Sequence, residues 1–220
     1  MKRLFDTTVA LVSLALCTPL ILAAALLIKI DSPGPVFFRQ RRIGRAFRPF
    51  DIYKFRTMRA DAEPGGELLT VARDPRITRV GRVLRETKID ELPQLINVLK
   101  GDMSLVGPRP EVDRYVDLFR TEYREILSVR PGITDLASLK YRDESALLAQ
   151  ATSPELEYVT CILPDKLRLG REYIERSSLL FDLAIIGRTL AAVVRGAGRV
   201  DPASTAHRAA RTTSSIAEQA

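Results

Sequence analysis

From Thr7 to Ile28 no side chain is charged, and as one straight helix those residues would cover roughly 33 Å, about the hydrocarbon thickness of a bilayer. This run constrains the fold before anything else, because it places the start of the chain in lipid. A single span is the simplest use of it. Two features argue for another. Thr18-Pro19 interrupts the run near its middle, and basic residues flank it on both sides: Lys2 and Arg3 before it, and Lys29, Arg39, Arg41, Arg42 and Arg45 after it. Proline removes one helical hydrogen bond and clashes with the preceding turn, while basic flanks mark the cytoplasmic side of a membrane segment. A helix-break-helix meets both conditions: a re-entrant element over residues 1–30 that enters one leaflet and returns, with Thr18 or Ser13 supplying a hydroxyl to a carbonyl that Pro19 frees. A cleaved export signal is the third possibility, since Met1-Lys2-Arg3 resembles its basic start and Ala23-Ala24-Ala25 its cleavage site. Asp6, the apolar continuation through Leu26-Leu27-Ile28 and the lack of a disulfide framework speak against it.

The whole chain, 220 residues, suits one domain with accessories, large enough to bury a core. Lys and Arg number 34 against 27 Asp and Glu, a net charge of +7 that favours anionic partners: phosphorylated substrates, an anionic membrane surface or nucleic acid. Cys17 and Cys161 have no metal-ligand spacing, so no structural zinc is expected. After the turn Asp31-Ser-Pro-Gly-Pro35, residues 36–39 and 50–56 read as the strands of a small hairpin around 43–49. Residues 59–75, which contain Pro64-Gly-Gly, read as an exposed loop. Helices are predicted over 77–87, 91–100, 111–128, 144–151, 155–162, 165–176 and 179–194. Within the third, Val112, Tyr115, Val116, Phe119, Tyr123 and Ile126 recur at helical spacing, which marks a core stripe. The last is apolar but carries Asp182 and Arg188, so it suits an amphipathic helix on the core or at the lipid interface rather than a second span. The expected fold is mainly α with a small β-hairpin: the membrane element (1–30) packed on a compact cytoplasmic domain (31–194) with amphipathic interfacial helices, then a disordered basic tail (195–220) able to touch anionic lipid.

The only histidine, His207, lies in that tail, so a Ser-His-Asp or Cys-His nucleophilic site is not expected. The glycine-rich loops that cradle dinucleotides or nucleoside triphosphates are also missing. Carboxylate chemistry remains, and Asp90-Glu91 is where it concentrates. Leu92, Leu95, Ile96 and Leu99 share one helical face, which predicts a helix with Asp90 as its N-cap and Pro93 in its first turn, placing both acids at the positive end. Capping alone would explain an isolated pair of this kind. An aspartate can also attack phosphorus to form an acyl phosphate, where cations neutralise the phosphoryl oxygens and a neighbouring acid holds magnesium. Asp90, Glu91 and the arginines supply those parts.

Five ordered blocks then resemble one family. Ser32-Pro-Gly-Pro-Val-Phe-Phe-Arg-Gln-Arg-Arg-Ile-Gly44, Tyr53-Lys-Phe-Arg-Thr-Met58, Ile89-Asp-Glu-Leu-Pro-Gln-Leu95, Gly101-Asp-Met-Ser-Leu-Val-Gly-Pro-Arg-Pro110 and Arg130-Pro-Gly-Ile-Thr134 are similar to those of the bacterial sugar transferases, the small monotopic phosphoglycosyl transferases. The Thr18-Pro19 break matches the kink of that family's re-entrant helix. The resemblance implies an enzyme of the cytoplasmic membrane, its catalytic domain on the cytoplasmic face, that moves a sugar 1-phosphate from a UDP-sugar to undecaprenyl phosphate at the start of polysaccharide or glycoconjugate assembly. It also implies the roles: Asp90 as nucleophile forming a covalent phosphosugar intermediate, Glu91 as the Mg2+ ligand, Arg109 and Arg142 as phosphate clamps, with Lys54 and Arg56 as further phosphate-binding residues. Membrane lipid is the expected surroundings, and nucleic acid is not an expected partner of such an enzyme.

The chain departs from the family pattern after Thr134. Asp135 and Ser138 stand where glycine and glutamine are usual, and Leu169-Gly-Arg-Glu-Tyr173 replaces Leu-Asp-x-Tyr-Tyr, removing a carboxylate at Gly170. These changes bear on donor identity more than on the reaction. The competing function is a catalytically silent, membrane-attached basic module that binds anionic lipid or nucleic acid, which would need basic patches but no Asp90-Glu91.

Overall fold

The computed structural model describes residues 1–59, 69 and 74–195. The apolar run forms one helix, α1 (Lys2–Asp31), long and apolar enough to cross a membrane. It continues through Pro19 as a single helix, which corrects the expected break at Thr18-Pro19. Proline removes the amide that would donate to Ala15 O, and Thr18 Oγ1 donates at 2.8 Å to Leu14 O, the carbonyl one residue before the freed one.

Both ends of α1 are fastened to the rest of the chain. At its start, buried Asp6 accepts from Ser104 Oγ at 2.8 Å and from Leu105 N at 3.4 Å, while Lys2 pairs with Asp182 at 2.5 Å. Arg3 donates to Val98 O and Leu99 O, two carbonyls near the end of the helix α3 (Gln94–Lys100). At the other end, the Arg56 guanidinium donates to Ser32 O at 2.7 Å and also to Pro33 O, and Asp31 accepts from Val80 N at 3.0 Å. Between these anchors Leu11, Leu16 and Leu22 are mostly exposed.

The expected hairpin forms from β1 (Phe37–Ile43) and β2 (Pro49–Phe55), antiparallel, with Phe37 opposite Phe55 and Ile43 opposite Pro49. Asn97 in α3 accepts from Tyr53 N at 3.0 Å and donates to Asp51 O at 2.7 Å, fixing α3 against β2. A second, parallel pair, β3 (Ser104–Val106) and β4 (Gly132–Thr134), escaped the sequence reading because three residues carry too little alternation. Its tight approach requires glycine: a Cβ at Gly132 would lie 2.1 Å from Gly107 N.

The helix α2 (Arg79–Glu86) packs Val80 and Leu84 against Ala24 and Ile28 of α1. The stretch predicted as one helix over 111–128 is two, α4 (Asp113–Leu118) and α5 (Arg120–Ile126), broken at Phe119 (φ −122°, ψ 40°). The break lets Tyr115 and Val116 from one and Tyr123 and Ile126 from the other enter the same core, so the predicted stripe does pack inward. The short α6 (Leu136–Lys140) was not foreseen, and α7 (Glu144–Leu148) is shorter than expected. The helices read as 155–162 and 165–176 are joined: α8 (Pro154–Glu157) passes through a π turn, Tyr158–Ile162, into α9 (Leu163–Arg176). The last helix, α10 (Leu179–Val194), buries Asp182 and Ile185 and leaves Leu180, Leu183, Leu190 and Val194 exposed on one side. Most of the predicted 59–75 loop, and the predicted tail beyond Arg195 with His207, lie outside the described residues.

Candidate active site

The acid pair sits in a 3-10 turn, Ile89–Glu91, rather than at the cap of α3. The amides that an N-cap at Asp90 would use are taken or absent: Leu92 N is bonded to Ile89 O, and Pro93 has no N–H. The carboxylate is therefore not consumed by capping. Asp90 is 8% exposed, and its Oδ1 is buried without a hydrogen-bond partner. Burial pushes its carboxyl up from the usual range; Lys54 opposes that rise and Glu91 adds to it.

Glu91 has the opposite environment. Lys54 from β2 reaches its Oε1 at 3.0 Å, and Arg109 from the loop after β3 meets the same oxygen at 2.5 Å through Nη2 and Oε2 at 3.4 Å through Nη1. Burial alone would raise this carboxyl, but Arg109 and Lys54 override it and hold Glu91 well below the usual range. Burial in turn lowers Lys54 against the pull of Glu91, and Glu91 shifts Arg109 upward. The result is a fixed anion between two fixed cations, next to a carboxylate with an unengaged oxygen.

Arg109 is positioned from behind by Asp135. That carboxylate is 3% exposed, caps α6 by accepting from Ser138 N at 2.6 Å, and accepts from Arg109 N at 3.1 Å. Asp135 thus has a local reason to replace the family's glycine. Gly170 borders Pro108 and Ile126, and a Cβ there would lie 2.8 Å from Ile126 Cδ1, so isoleucine occupies the place into which a longer side chain would grow. A small cavity of about 20 Å³ lies beside Arg109, lined also by Glu111, Tyr123, Asp135, Leu163 and Lys166.

The other predicted residues separate. Arg56 does not join the site: it is 5% exposed and bonds the carbonyls that end α1, which corrects its assignment to phosphate. Both terminal nitrogens of Arg56 are engaged by carbonyls, and only its buried Nε is unpartnered. Arg142 has Nε and Nη2 buried without partners, the state of a cation suited to an incoming anion. It connects to the acid turn through Lys88, whose Nζ lies 3.5 Å from Arg142 O and whose charge acts on Asp90. Thr18 and Pro19 lie within α1, remote in sequence from these groups.

Arg85 and Lys88 were missed by the sequence reading, although both stand within five residues of Asp90. Gln94, wholly buried with both amide atoms unpartnered, was missed as well; Ser138, one of the departures from the family pattern, has an unpartnered Oγ. Among the described residues no three Asp, Glu, His or Cys side chains form a metal cage. Glu91 fits a magnesium ion shared with substrate phosphates, the usual habit of that ion, since its Oε2 has only one long contact.

The sequence model of the family described as bacterial sugar transferase matches residues 1–196. The chain is 42% identical over 202 residues to the UDP-N-acetylgalactosamine-undecaprenyl-phosphate N-acetylgalactosaminephosphotransferase of Aeromonas hydrophila, covering 90% of this chain and 44% of that protein. It is 43% identical over 193 residues to a UDP-glucose:undecaprenyl-phosphate glucose-1-phosphate transferase of Caulobacter vibrioides, covering 86% and 68%. To the exopolysaccharide production protein PSS of Rhizobium leguminosarum it is 39% identical over 208 residues, covering 90% and 98%. The chain therefore spans less than half of the first of these relatives and nearly all of the third.

Proposed function

This chain belongs to the bacterial sugar transferase family, and from that premise we propose that it is a phosphoglycosyl transferase that moves a sugar 1-phosphate from a UDP-sugar to undecaprenyl phosphate. The observation that carries this is the buried, unpartnered Oδ1 of Asp90 beside the Lys54–Glu91–Arg109 cluster. Asp90 Oδ1 attacks the β-phosphorus of the donor. The bond from that phosphorus to the bridging oxygen breaks, its electron pair leaves with UMP, and an aspartyl-phosphosugar remains. A phosphate oxygen of undecaprenyl phosphate then attacks the same phosphorus, giving the lipid diphosphate sugar and returning Asp90 as a carboxylate. Lys54 and Arg109 bind the donor phosphates, and Arg142 supplies a third cation. Glu91 would hold a magnesium ion, which would supply charge neutralisation.

The names of relatives include both N-acetylgalactosamine and glucose donors, so UMP release should be assayed against UDP-N-acetylgalactosamine, UDP-glucose and other UDP-sugars, with undecaprenyl phosphate present. Turnover with one of them, abolished in Asp90→Asn while membrane binding persists, is the expected result. Membrane binding without turnover on any donor would favour a silent basic module.

On the membrane side, we read the chain as monotopic in the cytoplasmic membrane, with the continuous α1 lying along one face and both of its ends held on that face. What supports this is that Asp6 at one end of α1 and Asp31 and Ser32 at the other are joined to the same folded body. The exposed apolar side of α10 suits the interface.

A further inference from the structure

Four cations bear on the acid turn, and they reach it from two directions. Lys54 and Arg109 are bonded to Glu91. Arg85 and Lys88 precede the acids in the chain, and neither has a salt-bridge carboxylate among the described residues. Among the described residues Arg85 makes one side-chain hydrogen bond, from Nε to Thr57 Oγ1 at 2.8 Å, and its terminal nitrogens have no hydrogen-bond partner there, though Asp74 and Asp90 both act on its charge. Its place is rigidly set. One turn earlier, Gly81 lies so close to the chain that a Cβ would stand 2.1 Å from Thr57 O, and Thr78 N donates to that same oxygen at 3.0 Å. From Arg85 the backbone steps straight to the acids: Lys88 N donates to Arg85 O, and Glu91 N donates to Lys88 O, both at 3.2 Å.

The other side of α2 faces the membrane helix. Leu84, adjacent to Arg85, packs with Ala24 and Ile28 of α1, and Ile89, adjacent to Asp90, leans on the same cluster. Val83 on α2 remains 56% exposed, as Leu22 and Leu26 on α1 are at 64% and 62%. A phosphate tethered to a long hydrocarbon must keep its chain in lipid while its head reaches Asp90, and α2 touches both the apolar helix and the acid turn. A soluble nucleotide sugar has no such tether and can approach Arg109, whose side chain is 33% exposed, from water.

We infer that Arg85, assisted by Lys88, binds the phosphate monoester of the lipid acceptor, while Lys54 and Arg109 serve the donor diphosphate. This division of labour rests on the transfer reaction proposed above. It predicts that a change at Arg85 separates the two half-reactions. The full chain in nanodiscs of constant phosphatidylglycerol content is assayed twice: for UMP released from UDP-sugar without acceptor, and for steady-state turnover as undecaprenyl phosphate is varied. Arg85→Met should keep the acceptor-free UMP release and the KM for UDP-sugar, while its KM for undecaprenyl phosphate rises by about tenfold or more, as expected for one lost charge-assisted contact. Arg85→Lys, which keeps the charge, should recover part of that loss, and it carries the test should the methionine variant not fold. Lys54→Met should show the reverse pattern, with acceptor-free UMP release impaired. Loss of acceptor-free UMP release in both Arg85 variants, an unchanged KM for undecaprenyl phosphate, or an effect that follows phosphatidylglycerol content instead of undecaprenyl phosphate would each overturn the assignment. No UMP release from the wild-type chain with any donor would overturn the parent reaction and this assignment with it.

Discussion

Asp90 and Glu91 are neighbours whose surroundings drive their carboxyls apart: burial raises one, while two cations hold the other down despite burial. Separation of this kind lets one acid react while the other stays a fixed charge. Asp135 should matter through its two bonds. Asp135→Ala removes the cap of α6 and the partner of Arg109 N, so stability should fall by about 1–2 kcal/mol in denaturant unfolding, and UMP release should slow. Asp135→Asn keeps an acceptor oxygen and should lose less; an alanine variant with wild-type stability and rate would contradict this role. Arg56 makes a contrasting case, because its guanidinium ends α1. Arg56→Ala should lower the melting temperature while the KM for UDP-sugar stays near wild type, and a selective rise in that KM would restore Arg56 to the donor site.

At the scale of elements, α6 and α9 are clamped by Asp165, which accepts from Lys140 Nζ at 2.7 Å, from Tyr141 Oη at 2.6 Å and from Arg168. Burial pushes this carboxyl up, yet those bonds prevail and leave it at about 2. A carboxyl lowered on folding stabilises the fold above its unfolded value near 4, and that contribution fades as pH falls toward 2. Lys140 and Arg168 are 43% and 59% exposed, so solvent screening reduces the effect to about 1 kcal/mol. Asp165→Asn should lose that much at pH 7 in urea unfolding and converge on wild type near pH 2; equal stability at pH 7 would refute it. The elements legible in the sequence were those with a long periodic signal: the apolar run of α1, the hairpin strands and the amphipathic α9 and α10. Three-residue β3 and β4 carry no period, and the breaks at Phe119 and around Tyr158 follow from packing several helices on one core. Of the candidate site, the residues that the sequence marks by local motifs, Asp90-Glu91 and Arg109, are ones the structure brings together. Arg56 misled because its backbone neighbours cannot reveal that its partners are carbonyls at the end of a distant helix, and Arg85 was passed over because its link to Asp90 appears only when α2 is seated on Thr57.

For the whole molecule, the fastening of both ends of α1 governs how the chain meets a membrane. On the monotopic reading proposed above, Lys2 and Lys29 stay on one side of the bilayer while Asp6 stays on Ser104 and Arg56 stays on Ser32. Single cysteines at Lys2 and Lys29, in a background lacking Cys17 and Cys161, should both resist an impermeant thiol reagent added outside intact cells and both react once the cells are opened. Labelling of Lys2→Cys from outside would mean a spanning helix. Breaking the buried anchor with Asp6→Ala should raise the share of chains labelled in that way, because α1 is then released from the folded body.

The central claim, that Asp90 takes up the phosphosugar, is tested most directly by the mass of the protein itself. Incubated with its UDP-sugar and magnesium but without undecaprenyl phosphate, the chain should gain the mass of one sugar phosphate, with fragmentation placing it on Asp90. Adding undecaprenyl phosphate should return the protein to its starting mass. An adduct on another residue, or turnover in Asp90→Asn that matches wild type, would contradict the account.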